Sequence, residues 1–383
     1  SVIFNKISNN YLVQIILFCL LADTVPKNFV HLHLHSEYSL LDGVQKIQPI
    51  LQKAKDFGMT AIALTDHGVM YGAYEFWFNA KMMGIKPIIG CEVYVAARTR
   101  FDKESGIDNK RTHLTLLAQT QEGYHNLMKL VSIANTEGFY YKPRVDKELL
   151  EKYGKGIIAL TGCLASRFNR LLMQNKDEEA KEWLKFLKGC FNEVYVEVMR
   201  NGVEESDKLI PKQVAIANEL GLKYIATVDA HYLEKEDYKI QEIAWCISDG
   251  KKLNDPERRQ YPSTEFYLKS TEEMVELFAD YPEAISNTVE LADKIEEYGV
   301  EFVRVQPQFH PGAKAEKVKN ELRKMVMSKV GNRYETTTEE IQKRIDYELA
   351  IIDQKGYNDY FLVVQDYIDW ARKQGILVGP GRG

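Results

Sequence analysis

The stretch Phe29-Val30-His31-Leu32-His33-Leu34-His35 alternates imidazole and leucine, and that alternation decides the fold. In an extended strand the period of two puts all three histidines on one face and the leucines on the other. Six further β-rich runs follow: Ala61–Thr65, Pro87–Val93, His113–Ala118, Ile157–Thr161, Val194–Val198 and Tyr224–Val228. All seven have ordinary strand lengths. Amphipathic helical patterns lie between several of them, clearest in Val44–Phe57, Tyr71–Met83, Glu122–Ala134 and Glu204–Leu220. Seven strands separated by helical crossovers predict a parallel sheet. The alternation runs for roughly 200 residues, which favours a closed (βα) barrel over an open doubly wound sheet. No GxGxxG follows the first strand, which counts against a dinucleotide fold.

After about residue 270 the rhythm turns helical, in Ser270–Phe278, Pro282–Tyr298, Thr338–Lys355 and Tyr360–Gln374. Val305–Lys319, with its prolines and lysines, reads as a linker. We therefore expect a barrel domain over 28–270 and a second segment over 271–383. Residues 1–27 form an apolar extension in which Tyr11–Ala22 resembles a short signal h-region but is too short to span a membrane. We take translation to begin near Val25, with residues 1–24 as upstream read-through, against the alternative of a signal peptide. The charged run Arg98–Arg111 reads as a solvated loop.

A length of 383 residues leaves room for two or three domains, and 45% hydrophobic against 27% charged residues is ordinary for a globular protein. The net charge of −5 supplies no global attraction for nucleic acid, so any such contact needs local basic patches. The five cysteines at 20, 91, 163, 190 and 246 are widely spaced without a CxxC. A disulfide framework is therefore not expected, and a reducing cytoplasm is.

The polar residues at strand ends carry the chemistry. His33 and His35 end the first strand and Asp42 follows in its loop. His67 follows the second strand, Glu92 ends the third and His113 lies at the fourth. Cys163 follows the fifth, and Asp229 and His231 end the seventh. One mouth of a βα-barrel gathers such positions. Imidazole, carboxylate and thiolate suit zinc, and imidazole with carboxylate also suits manganese or iron. A single strand-end histidine is more often a hydrogen-bonded structural residue. Five of the eight histidines placed this way, beside three acids, exceed what that reading explains. His31 is read as making an interior hydrogen bond, His125 as helical, His310 as linker and Cys91 as packing. At Cys163 plain packing of a small thiol competes evenly with ligation.

The phrase His33-Leu34-His35-Ser36-Glu37-Tyr38-Ser39-Leu40-Leu41-Asp42-Gly43 resembles the opening motif of the PHP (polymerase and histidinol phosphatase) superfamily. Its detail resembles the bacterial DNA polymerase III alpha subunits. So do Leu64-Thr65-Asp66-His67-Gly68, Gly84-Ile85-Lys86-Pro87-Ile88-Ile89-Gly90, Glu137-Gly138-Phe139-Tyr140 and Phe266-Tyr267-Leu268-Lys269. Tyr347-Glu348-Leu349, Gly356–Val364 and Val378-Gly379-Pro380-Gly381-Arg382-Gly383 resemble the start of a polymerase palm.

The resemblance implies three divalent metals (Zn, Mn or Fe). His33, His35, Glu92 and Asp229 would hold the first, and Glu92 would bridge to a second on His113 and Cys163. Asp42, His67 and His231 would hold the third. It implies a metal-dependent 3′–5′ exonuclease acting through His33, His35 and Asp229. It also implies nucleotide binding by Gly381, Arg382 and Gly383, with palm Mg²⁺ ligands beyond Gly383. The partners implied are DNA primer-template, dNTP, a sliding clamp and other replisome subunits, with no membrane. Asn201 stands where the family pattern has a histidine, outside the ligand positions. Two other functions fit the barrel: a small-molecule phosphatase or pyrophosphatase, which would not need the residues after about 270, and a non-catalytic scaffold whose metals only stabilise the fold.

Overall fold

The structure, a computed structural model, describes residues 28–260, 263–300 and 306–381. The expectations about residues 1–27, Val305, Arg382 and Gly383 lie outside the described residues. The chain divides into two compact units, the first ending at Val300. That is later than the boundary at 270 read from the change of rhythm, because the helices after 270 pack their apolar faces on the barrel. Ala284, Ile285, Leu291 and Ala292 are all buried in its core.

In chain order the first unit contains α1 (Ile47–Asp56), β1 (Ala61–Leu64), α2 (Ala73–Met83), β2 (Lys86–Val95), β3 (Thr112–Ala118), α3 (Gln121–Thr136), β4 (Phe139–Tyr140) and β5 (Lys142–Val145). It continues with α4 (Lys147–Tyr153), β6 (Ile157–Leu160), α5 (Arg167–Met173), α6 (Asp177–Cys190), β7 (Glu193–Met199), α7 (Glu204–Glu219) and β8 (Lys223–Thr227). Helices α8 (Tyr238–Asp249), α9 (Thr271–Leu277) and α10 (Pro282–Lys294) complete it. The sheet runs β4-β5-β2-β3-β6-β7-β8, with β1 paired along the first half of β2.

The expected first strand is extended but is no regular strand. Ala63 and Thr65 donate backbone N–H to the carbonyls of His31 and Leu34 at 2.8 and 2.9 Å, and His35 N–H donates to the Ala230 carbonyl at 2.8 Å. Acceptors three residues apart thus face donors two apart, which is the mismatch of a bulge. Leu34 N–H turns instead to the Thr65 hydroxyl at 2.9 Å. This segment joins β1 to the residues after β8 and draws the eight-stranded sheet into a curled, distorted barrel. Leu32 and Leu34 are fully buried in the core, each contributing about 1.5–3 kcal/mol by leaving water.

The sheet is mixed rather than all parallel. β3 runs antiparallel to both neighbours, β2 and β6. No helix separates β2 from β3, and a direct loop returns the chain in the opposite sense. The consequence is functional: the start of β3, not its end, lies at the mouth where β2 ends, and Tyr94 pairs with His113 in the register.

The loop 98–111 is mostly exposed, as its solvated reading expects, but two of its charged side chains, Arg100 and Asp108, are buried. Asp108 is fully buried and Arg98 donates to both its oxygens, at 3.0 and 2.5 Å. Arg100, nearly buried, pairs with Asp146 at 3.1 Å. Asp146 also caps α4 by accepting from Leu149 N–H. Buried charges of this kind persist only when paired.

The second unit contains α11 (Ala315–Lys329), α12 (Glu339–Gln354) and α13 (Asn358–Lys373). Its small core is Val318, Leu322 and Leu362. The expected linker Val305–Lys319 therefore overlaps a helix from Ala315 onward, where helix formers follow the last proline. No helix among the described residues is long and apolar enough to cross a membrane.

Candidate metal centre

The loop after the bulged segment is set by Asp66. Its carboxylate accepts from Ser36 N–H (2.7 Å), Ser36 Oγ (2.8 Å) and Ser39 Oγ (2.7 Å). Gly43 lies so close to the Ser36 carbonyl that a Cβ would stand 2.2 Å from its oxygen. That contact explains the glycine in the opening motif, and it turns Asp42 back toward the barrel mouth.

His33 and His35, both fully buried, put their Nε2 atoms 3.1 Å apart. Asp229 Oδ1 lies 3.3 Å from the first and 3.1 Å from the second. Glu92 oxygens lie 3.6 Å from each. A tetrahedral ion with bonds near 2.1 Å spaces its ligands by roughly 3.4 Å, so these four donors surround a volume of the right size. Beside them His113 Nδ1 is 2.9 Å from Glu92, and Cys163 Sγ is 3.7 Å from both. A thiolate–imidazole edge at such an ion is about 3.6 Å. On the other flank His67 Nε2 meets Asp42 at 3.1 Å, and His231 Nε2 lies 3.9 Å from Asp42. All nine residues singled out at strand ends thus meet in one cluster. Gly381 is described and exposed, apart from any such cluster in the second unit.

Hydrogen bonds on the far side of the rings set which nitrogen faces inward. His33 donates Nδ1–H to Glu197 Oε1 at 2.6 Å, His35 directs Nδ1 to Ser39 Oγ at 3.1 Å, and His231 donates Nδ1–H to the Asp229 carbonyl at 2.7 Å. Each leaves an Nε2 lone pair for the interior, as metal-binding histidines require. Asp42 is held from behind by Trp245 Nε1 (2.8 Å) and Gln241 (3.2 Å). Asp229 has φ +58°, a left-handed conformation that an aspartate tolerates at some cost.

The cluster needs cations. Three carboxylates and a thiol meet five imidazoles, and the only counter-charges within it are ring protons. Burial works against charge on His33, yet Glu197 and Asp229 outweigh it and raise its pKa well above the ordinary value. Burial likewise opposes charge on His67, but Glu92 and Asp42 push it up to about 10. His35, buried and facing His67 and His231, is pushed down to about 3. Burial alone would raise the Glu92 carboxyl; His113 and His67 hold it well below the usual range. Three buried atoms still lack hydrogen-bond partners: His67 Nδ1, Glu92 Oε2 and Asp229 Oδ1. The first two lie 2.6 Å apart without hydrogen-bond geometry. Carboxylate oxygens and an imidazole nitrogen left without hydrogen bonds in a dry site fit a cation-binding site. Three overlapping triads, His33-His35-Glu92, His35-His67-His231 and His67-Glu92-His113, bring their ligand atoms close enough together to hold a metal ion.

His31 makes the expected interior bond, Nε2 to the Lys269 carbonyl at 2.9 Å. Cys91 is buried and packs, its thiol 3.3 Å from the Asp66 carbonyl. His125 lies in α3 and His310 contacts Glu321 at 2.8 Å. Glu197 escaped sequence reasoning. It is fully buried on β7, bonded to His33, Thr227 and the Gly162 N–H. The available signal was an acid set between two valines in an otherwise apolar run, Val194-Tyr195-Val196-Glu197-Val198.

Residues 31–201 match the family model described as PHP domain, and residues 320–383 match that described as Bacterial DNA polymerase III alpha NTPase domain. DNA polymerase III subunit alpha of Borreliella burgdorferi is 42% identical over 358 residues, 93% of this chain and 31% of that one. The Treponema pallidum subunit is 42% identical over 359 residues, with the same shares of the two chains, 93% and 31%. That of Thermus aquaticus is 37% identical over 420 residues, 93% of this chain and 34% of the relative. The chain spans about a third of the length of these curated relatives, 31–34%.

Proposed function

The chain belongs to the family of bacterial DNA polymerase III alpha subunits, and from that premise we propose that its barrel mouth is a divalent-metal phosphodiesterase that trims the 3′ end of a DNA strand. The observation that carries this reading is the spacing of 3.1–3.6 Å among the donors of His33, His35, Glu92 and Asp229. His33, His35, Glu92 and Asp229 would hold one ion, Glu92 with His113 and Cys163 a second, and Asp42, His67 and His231 a third. Zinc, manganese and iron all suit such donors. Bound there, the ions would supply a water of lowered pKa and offset charge on the phosphate. The chain's own contribution is orientation: Glu197 fixes the ring of His33, Ser39 that of His35, and Trp245 the carboxylate of Asp42.

For the whole protein the family implies DNA synthesis in the cytoplasm on primer-template and dNTP, with a sliding clamp and other replisome subunits. Gly381, Arg382 and Gly383 would approach the triphosphate, and Mg²⁺ would serve a palm beyond them. We propose trimming in that setting as proofreading. The test is digestion of a 3′-labelled primer with Mn²⁺ or Zn²⁺, beside histidinol phosphate and pyrophosphate. Shortening of the primer that disappears in His33→Ala and Asp229→Ala supports the reading. Turnover of the small phosphates alone, or a folded and metal-loaded chain inert on all three, overturns it.

A further inference from the structure

One side of the mouth opens into a cavity of about 310 Å³ with Asp42 and His67 in its lining. The remainder of that lining differs in character from the cluster. Tyr71, Phe139 and Tyr141 line it while 65%, 54% and 66% exposed. Aromatic side chains left this open around one cavity are unusual on a soluble surface and mark a binding site.

Phe139, Tyr141 and Lys142 belong to the tight β4–β5 hairpin, where Phe139 pairs with Pro143 and Tyr140 with Lys142. Tyr141 sits at its tip with φ +60°, a conformation that bulky residues rarely adopt. The hairpin is anchored at its base. Arg144, fully buried, donates to the carbonyls of Gly138, Asp108, Arg100 and Asp102 at 2.9–3.0 Å. A strained aromatic on a braced hairpin is a presented side chain, not a loose one.

Positive charge surrounds the same opening. Lys142 and Arg111 lie over one face or edge of the Tyr94 ring, at 5.6 and 5.7 Å from its centroid. Arg259 lines the cavity too, stacked on Trp245 at 4.5 Å and paired with Asp249 at 3.1 Å. Neither Lys142 nor Arg111 has an ion-pair partner within 4.0 Å among the described residues. In a chain of net charge −5 this is a local basic patch beside a metal cluster.

We infer that Tyr71, Phe139 and Tyr141, with Lys142 and Arg111, form a cradle for single-stranded DNA that delivers the strand's end to the cluster. The inference rests on the strand-end reading above and adds the substrate's form: unpaired bases, without sequence preference. Aromatic faces accept any base by stacking, and basic side chains follow the phosphates. A duplex keeps its base faces inside and gives the aromatics nothing to stack on. A small phosphate ester needs no row of aromatics.

The test is fluorescence anisotropy of the 383-residue chain with a short 5′-labelled oligothymidylate, with chelator present so that nothing is cut. A blunt duplex and thymidine monophosphate serve as competitors. Phe139→Ala/Tyr141→Ala weakens oligothymidylate binding by on the order of ten-fold. Lys142→Gln reduces the slope of log affinity against log salt by about 0.7. All three side chains are exposed, so melting temperatures unchanged from wild type verify folding. Equal binding of the duplex, complete competition by the monophosphate, or variants that bind like wild type would overturn the cradle. The two readings separate when ions are restored. A strand gripped through the hairpin but left intact retains the cradle and removes the hydrolytic reading. Trimming by the double variant at the wild-type rate does the opposite.

Discussion

His33 Nδ1 lies 2.6 Å from Glu197 Oε1, with both side chains fully buried. This pair fixes the tautomer that turns Nε2 into the cluster. We predict that Glu197→Gln lowers divalent-metal affinity by about 10–100-fold while leaving the fold intact. Competition with a chromogenic chelator reads the affinity, and circular dichroism the fold. Unchanged affinity would show that His33 is held by something else.

Asp229 carries two burdens, a left-handed backbone and a donor atom. Asparagine accepts that backbone and alanine does so less readily. In ion-free protein, Asp229→Ala should therefore be less stable than Asp229→Asn by about 1 kcal/mol. Both should lose the tightest ion. Urea midpoints with chelator, then metal titration, give the two results; equal midpoints would remove the strain argument.

Arg144 satisfies four carbonyl oxygens in the interior. Its removal strands them, and Arg144→Ala should cost about 3 kcal/mol or more. Hydrogen exchange should rise first in the β4–β5 hairpin. A loss below about 1 kcal/mol by urea unfolding would mean that water replaces the guanidinium.

His31 is buried, and burial pushes its pKa down to about 4. An unfolded histidine titrates near ~6.5. Between those values the unfolded chain binds a proton that the folded chain refuses, so stability present above pH ~6.5 falls with acid down to about 4. His31→Gln keeps a donor for the Lys269 carbonyl and should flatten this limb by up to about 1.4 kcal/mol per pH unit. Parallel wild-type and variant curves would contradict it.

The barrel and its cluster were legible because histidines alternate with leucines and because ligand types recur at strand ends. What escaped has physical causes. The segment 28–35 holds its neighbours through mismatched hydrogen bonds and a Thr65 hydroxyl, which no residue pattern reveals. The reversal of β3 was visible only as a missing helix between Val95 and Thr112, read as a solvated loop. Charge in that loop suggested exposure, whereas Asp108 and Arg100 are buried by mutual and backbone pairing. Glu197 lies far from any motif and meets the cluster through the ring of His33.

Anomalous diffraction from crystals soaked in Mn²⁺ or Zn²⁺ tests the central claim most directly. The account predicts a peak bonded at about 2.1 Å to His33 Nε2, His35 Nε2, Glu92 and Asp229, with neighbouring peaks toward His113 and Cys163 and toward Asp42, His67 and His231. Ions bound elsewhere, with those four donors still drawn together around nothing, would contradict it.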